Sequence, residues 1–182
     1  MSTEFATKVD QLQHLYAVLA GDLEEARSYG QRNPSGFAKR SVLRAAFALI
    51  EGLNFQFRQE AQAGAIRAPL VFDAVEMSLL NEERYRLDDK GYLSTGRDFQ
   101  SLLPSILFCM RSYAKVHNVK FEPDLNHKGY YCMKKFVEIR NGITHPKSVA
   151  CLEHTEQQQR DAMDAMMWWK QQVLTLLKTC SR

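Results

Sequence analysis

Lys134-Lys135-Phe136-Val137-Glu138-Ile139-Arg140-Asn141-Gly142-Ile143-Thr144-His145-Pro146-Lys147 has the pattern of the last turns of a helix that stops just past Gly142. On a 3.6-residue repeat, Met133, Phe136, Arg140 and Ile143 share one face, so a guanidinium sits on an otherwise apolar stripe. Arginine is almost never buried without a partner, so Arg140 is expected either to be paired or to point into a site. Pro146 pushes His145 out of the helical region. That places His145 at the helix C-terminus, where the dipole favours a positive imidazole. In one unbroken helix, residues five apart point about 140° from each other, from roughly 100° per residue. A helix end between them lets both face one pocket. The stretch thus predicts a fixed cation beside the one side chain that titrates near neutrality, the two groups that metal-free phosphodiester cleavage needs.

Arg140-Asn141-Gly142-Ile143-Thr144-His145 resembles the Arg-x4-6-His signature of the HEPN superfamily, small helical domains that cleave RNA or bind nucleotides. The family often carries a polar residue right after the arginine, and Asn141 fits. The match closes a long helix in the last third of the chain and precedes one more long helix, as in the family. The resemblance covers most of the chain as architecture and about six residues as motif. It implies an all-α, up-and-down bundle of five to six helices forming a single domain over residues 1–182. A looser match, Arg111-Ser112-Tyr113-Ala114-Lys115-Val116-His117, is the rival site.

The chain is 182 residues long, which suits one domain with a real core. It is 45% hydrophobic and 25% charged, as ordinary globular proteins are. No apolar run approaches the roughly 18 residues of a membrane span, and Met1-Ser2-Thr3-Glu4-Phe5 lacks the basic-then-apolar pattern of a signal peptide. A cytoplasmic location without membrane contact is therefore expected. Cys109, Cys132, Cys151 and Cys180 are far apart, form no metal-ligand spacing, and are expected to act as small hydrophobes. No metal or cofactor is expected.

The net charge of +3 hides an uneven distribution. Residues 1–31 carry two basic and five acidic side chains, and residues 71–90 three and six. Residues 32–70 carry six basic and two acidic, and residues 111–147 eight and three. The two basic segments include the motif and the helix expected beside it. They read either as a phosphate-binding face or as solvated helix surfaces.

Helical spacing of Val9, Leu12, Leu15, Tyr16, Leu19 and Leu23 predicts a first helix over 4–30, stopped at Tyr29-Gly30. The second, 37–63, is apolar nearly all round in its middle, which predicts burial at the centre of a bundle. Its exceptions, Arg44, Glu51, Asn54 and Arg58, fall on one line. A buried carboxylate needs a partner. Glu51 is expected to meet Arg140, the alternative being a pair with Arg44 or Arg58 on its own helix. A third helix is predicted over 69–84 with Pro69 in its first turn. Residues 85–94 read equally as a small β-hairpin or a plain loop. A fourth helix follows over 98–117, the motif helix over 125–143 and a last helix over 155–180. Tyr130-Tyr131 suits either base stacking or core packing. The Met163, Met166, Met167, Trp168 and Trp169 surface of the last helix suits either core packing or a dimer contact.

The resemblance implies metal-independent transesterification of RNA. His145 would move a proton at the ribose 2′-hydroxyl or the leaving 5′-oxygen. Arg140 would stabilise the charge on the phosphorane, with Asn141 donating a further hydrogen bond. Glu51 would hold Arg140, and Thr144, Lys147 and Arg44 would contact substrate. A homodimer with the motif at its two-fold interface would supply a second His to the same groove. Toxins and phage-defence effectors of the family suggest that role and an antitoxin or regulatory partner. Two other readings stand beside this one. Gly142 inside the motif, and Lys147 where some toxins carry tyrosine, favour a non-catalytic module that binds RNA, a nucleotide or a protein. The third is a helical bundle whose Arg140 and His145 are incidental.

Overall fold

The computed structural model describes residues 3–181, with side chains from residue 11 onward. Among these residues the chain is all-α with one small antiparallel hairpin. Helices α1 (Thr3–Arg32), α2 (Gly36–Arg67) and α3 (Ala74–Leu80) are followed by strands β1 (Glu83–Leu87) and β2 (Leu93–Arg97). Then come α4 (Leu102–Val116), α5 (Lys128–Thr144), a 3-10 turn at Val149–Leu152 and α6 (Glu156–Cys180). No described helix is long and apolar enough to cross a membrane.

The chain folds as two compact units. One comprises Met1–Gln56 with Asp124–Leu174, the other Phe57–Pro123 with Thr175–Arg182. The first holds the motif. Its core joins α2 to α5 through Phe47 and Phe136, whose ring centroids are 4.1 Å apart. Both rings are buried, with Met133 and Ile143 beside them on the predicted apolar stripe of α5. Helices α5 and α6 meet where Gly129 leaves room for the Trp168 side chain. The Trp168 indole donates to the carbonyl of Asp124 at 2.9 Å. Lys128 and Lys135 on α5 pair with Asp164 and Asp161 on α6 at 2.7 and 3.0 Å.

In the second unit, Ala61, Ala65, Phe72 and Leu80 form a small core flanked by Phe108 and Val116. Gly64 sits where any side chain would collide with Val116. The Arg58 guanidinium pairs with Glu82, and Tyr113 packs against Phe57 with ring centroids 4.9 Å apart.

Four expectations need correction. Helix α1 runs through Gly30 to Arg32, because the carbonyls of Ser28 and Tyr29 accept from the Arg32 and Asn33 side chains and carry the last turn. The side chain of Val9 lies outside the described residues. Helix α2 is not buried all round: Arg44 and Ala48 are exposed and Phe55 is half exposed, while Leu43, Phe47, Ile50 and Leu53 face the core. The third helix begins at Ala74, not Pro69. Asp73 caps it, its carboxylate accepting from Glu76 N at 2.8 Å while Glu76 returns the bond to Asp73 N at 2.9 Å. It stops at Leu80, since residues 83–84 already belong to β1. The hairpin is longer than the 85–94 window, with Glu83 opposite Arg97 and Leu87 opposite Leu93. Gly91, at φ +79°, supplies the left-handed turn residue.

Candidate functional site

Helix α5 delivers Arg140 beside α2. The Arg140 Nε donates to Glu51 Oε1 at 2.9 Å. Its Nη1 donates to Asn141 Oδ1 at 3.3 Å. Glu51 therefore joins Arg140, and neither Arg44 nor Arg58 takes that place. The guanidinium is oriented from two sides, by a carboxylate and by the neighbouring amide. Both partners are partly exposed, at 26% for Arg140 and 38% for Glu51, so water competes for the pair.

Arg140 and Glu51, without Asn141, line a cleft of about 240 Å³ with Arg44, Phe47, Ala48, Ile143 and Thr144. The spacing of seven between Arg44 and Glu51 brings them to the same face of α2, two turns apart. Two guanidiniums, one carboxylate and one hydroxyl thus share a small concavity with an aromatic wall. Such a set holds a phosphate oxygen through the Arg donors, with Glu51 limiting the net positive charge.

His145 caps the C-terminus of α5. Its backbone N–H donates to Asn141 O at 3.0 Å, and its φ of −128° ends the helical run before Pro146. The side chain is exposed and stands outside the lining of the Arg140 cleft. Lys147 is likewise exposed and outside that lining. Within one chain, then, the cleft gathers Arg44, Glu51, Arg140 and Thr144, and His145 is not part of its lining.

Gly142 packs against the 3-10 turn, a contact invisible in the sequence. A Cβ there would lie 3.4 Å from the carbonyl oxygen of Cys151, an ordinary van der Waals distance, so the turn packs on α5 at the motif without requiring glycine. Cys151, expected to act as a small hydrophobe, is instead partly exposed beside the motif and has a polar partner. Its thiol shares a hydrogen bond of 3.6 Å with the Ser148 hydroxyl. That bond, with the backbone at Lys147 and Ser148, draws the thiol below its ordinary pKa. Tyr130 is half buried against Trp168, whereas Tyr131 is exposed, with the Lys134 ammonium 4.7 and 5.3 Å from the two tyrosine rings.

The rival pair lies in the second unit. Arg111 Nε is bound to Glu122 at 2.9 Å. His117 caps α4 against the Tyr113 ring, and burial pushes its pKa down. Among the described residues, no cluster of three or more His, Cys, Asp or Glu side chains is arranged to hold a metal ion.

No protein-family model matches the chain, and no curated protein and no solved structure is significantly similar to it.

Proposed function

We propose that this protein is a metal-independent endoribonuclease of the HEPN type. The observation that carries the reading is the Arg140–Glu51 pair at 2.9 Å in a cleft on α5, one turn before an exposed, helix-capping His145. Arg140, aimed by Glu51 and Asn141, meets the scissile phosphate and stabilises the extra negative charge of the phosphorane. His145 takes the 2′-hydroxyl proton or protonates the leaving 5′-oxygen, a general acid–base role open to an imidazole. Arg44 and Thr144 hold a phosphate in the cleft, and Lys147 adds a contact along the RNA backbone. The exposed position of His145 suits a groove completed by a second copy, whose imidazole takes the opposite side of the phosphorus. The biological role that fits is a toxin or phage-defence effector acting on RNA in the cytoplasm, checked by an antitoxin or similar partner.

The test is RNA degradation by the purified protein in EDTA. Cleavage should persist in the chelator and disappear in His145→Ala and in Arg140→Ala, with helicity unchanged. Cleavage that needs a divalent ion, or that survives both substitutions, removes this reading.

A non-catalytic binding module is the second reading, favoured by the position of His145 outside the Arg140 cleft. It predicts RNA binding with a steep salt dependence and no cleavage, with affinity lost in Arg140→Ala and kept in His145→Ala.

A further inference from the structure

A second, larger concavity opens in the first unit, away from the Arg140 cleft. It is a trough of about 460 Å³ with Val42, Leu43, Phe136 and Met166 among its apolar walls and Arg27 and Lys39 among its polar ones. It adjoins a polar concavity of about 570 Å³ that contains Lys39, Arg40, Glu153 and His154. The two share Pro34, Ser35 and Lys39, so the apolar trough and the cationic pocket meet at one lysine. Arg40 is held in place by the bond from its Nη1 to Leu152 O at 3.2 Å.

The charge of the polar pocket and the size of the trough point to a ligand. The His154 ring nitrogens are both closed to solvent and have no hydrogen-bond partner among the described residues, a rare condition in a folded protein. Burial, then the charges of Arg40 and Lys39, hold the imidazole below its ordinary pKa. Two cations line the pocket with this ring, and the only carboxylate lining it with them is the exposed Glu153. The apolar volume is also of the size that encloses small molecules, roughly 300–1,000 Å³, and it is concave where a protein partner generally needs a broad face.

We propose that the joined concavities bind a small amphipathic anion, its apolar body in the trough against Leu43 and Phe136 and its phosphate or carboxylate head at Lys39 and Arg40. The anion neutralises the paired cations. The trough excludes water from the apolar body, which supplies the main driving force. The site is independent of the ribonuclease reading and stands or falls separately from it.

Isothermal titration of the full chain tests this with three probes below their aggregation limits: decyl phosphate, decanol and inorganic phosphate. Decyl phosphate should bind, and decanol and phosphate alone should each bind at least about tenfold more weakly, the factor expected from losing one charge-assisted bond. Lys39→Glu, on an exposed residue, should weaken decyl phosphate by a similar factor with circular dichroism unchanged. Met163→Trp, placing an indole at the trough, should compete with the decyl chain and leave the response to phosphate alone unaltered. Equal binding of decanol and decyl phosphate, or indifference to both substitutions, overturns the proposal. A dimer that Met163→Glu dissociates, with no decyl phosphate binding in either form, assigns the trough to a second copy and also overturns it. Co-sedimentation with phosphatidylglycerol vesicles by a protein that ignores soluble decyl phosphate would refute the free-ligand source.

Discussion

Arg140 on α5 and Glu51 on α2 are 89 positions apart in sequence and 2.9 Å apart in space. The pair is partly open to water, so it contributes little to stability, of the order of 0–1 kcal/mol. Its consequence is directional. A carboxylate on Nε fixes the plane of the guanidinium and leaves the terminal nitrogens turned to the amide of Asn141 and the cleft. Glu51→Gln should thus change unfolding free energy by less than about 1 kcal/mol while, on the ribonuclease reading proposed above, lowering RNA cleavage clearly. Urea denaturation beside cleavage kinetics separates the two effects. A variant that loses stability but cleaves normally would assign Glu51 to packing alone.

The exposure of His145 beside, not within, the Arg140 cleft of its own chain leads to a complementation experiment. Arg140→Ala and His145→Ala chains should each be inactive. Mixed and allowed to exchange subunits, they should recover partial cleavage, because one shared groove then keeps one arginine and one histidine. Mixtures as inactive as their components would argue against a site shared between copies.

Gly129 lies in the first turn of α5, where an added Cβ would run into the Trp168 side chain and sit 3.0 Å from the Asp164 carbonyl oxygen. Alanine is the better helix former by about 1 kcal/mol, but here the overlap is with a buried indole and a backbone atom. Gly129→Ala should destabilise the protein by about 1–3 kcal/mol, as overpacking does. Gly52→Ala meets only the end of the Leu19 side chain and should cost less. Thermal unfolding of the two variants gives the order.

Asp161 on α6 accepts from Lys135 at 3.0 Å and from Gln157 at 2.8 Å. The Lys135 bond, then the Gln157 bond, hold its carboxyl below the usual value of 3.8. A depressed folded-state pKa means the unfolded chain binds the proton more readily. The stabilisation is therefore fully present above 3.8 and is lost as pH falls from there through the lower folded value. Lys135 has the opposite sign. Its pKa is raised above 10.5 by the Asp161 bond, so its contribution is present below 10.5 and lost as pH rises through the raised value. Asp161→Asn should flatten both ends of the stability–pH curve followed by circular dichroism, and a curve of unchanged shape would show that the pair has no such linkage.

Much of the local structure was legible in the residues. Met133, Phe136 and Ile143 occupy the buried stripe of α5 that their spacing predicts, and Arg140 interrupts it as a half-buried cation. The even choice between hairpin and loop near 85–94 had a local reason. Alternation was visible in Tyr85-Arg86-Leu87, but nearly every residue of both strands is exposed, so no buried face sharpened the pattern. Pro69 is a plausible first-turn residue, and it suggests a longer third helix than the Ala74–Leu80 that forms. The stronger signal, Asp73 three residues before Glu76, is a reciprocal cap. Phe55 lies in the apolar middle of α2, yet it is half exposed. An apolar run tells which side chains favour burial, not whether a neighbour is there to cover them.

By itself the sequence determined the all-α class, the helix that ends at His145 and the loss of helical geometry before Pro146. These depend on periodicity, capping and backbone sterics, which act within a few residues. Only the tertiary structure decided between the expected Glu51–Arg140 contact, which it contains, and the alternative pairs of Glu51 with Arg44 or Arg58; it also packs the 3-10 turn on α5 at Gly142 and leaves His145 outside the cleft lining. It also brought Lys39, Arg40 and His154 around one pocket next to an apolar trough. Those relationships join residues far apart along the chain, and they are set by how helices pack, which no local pattern encodes.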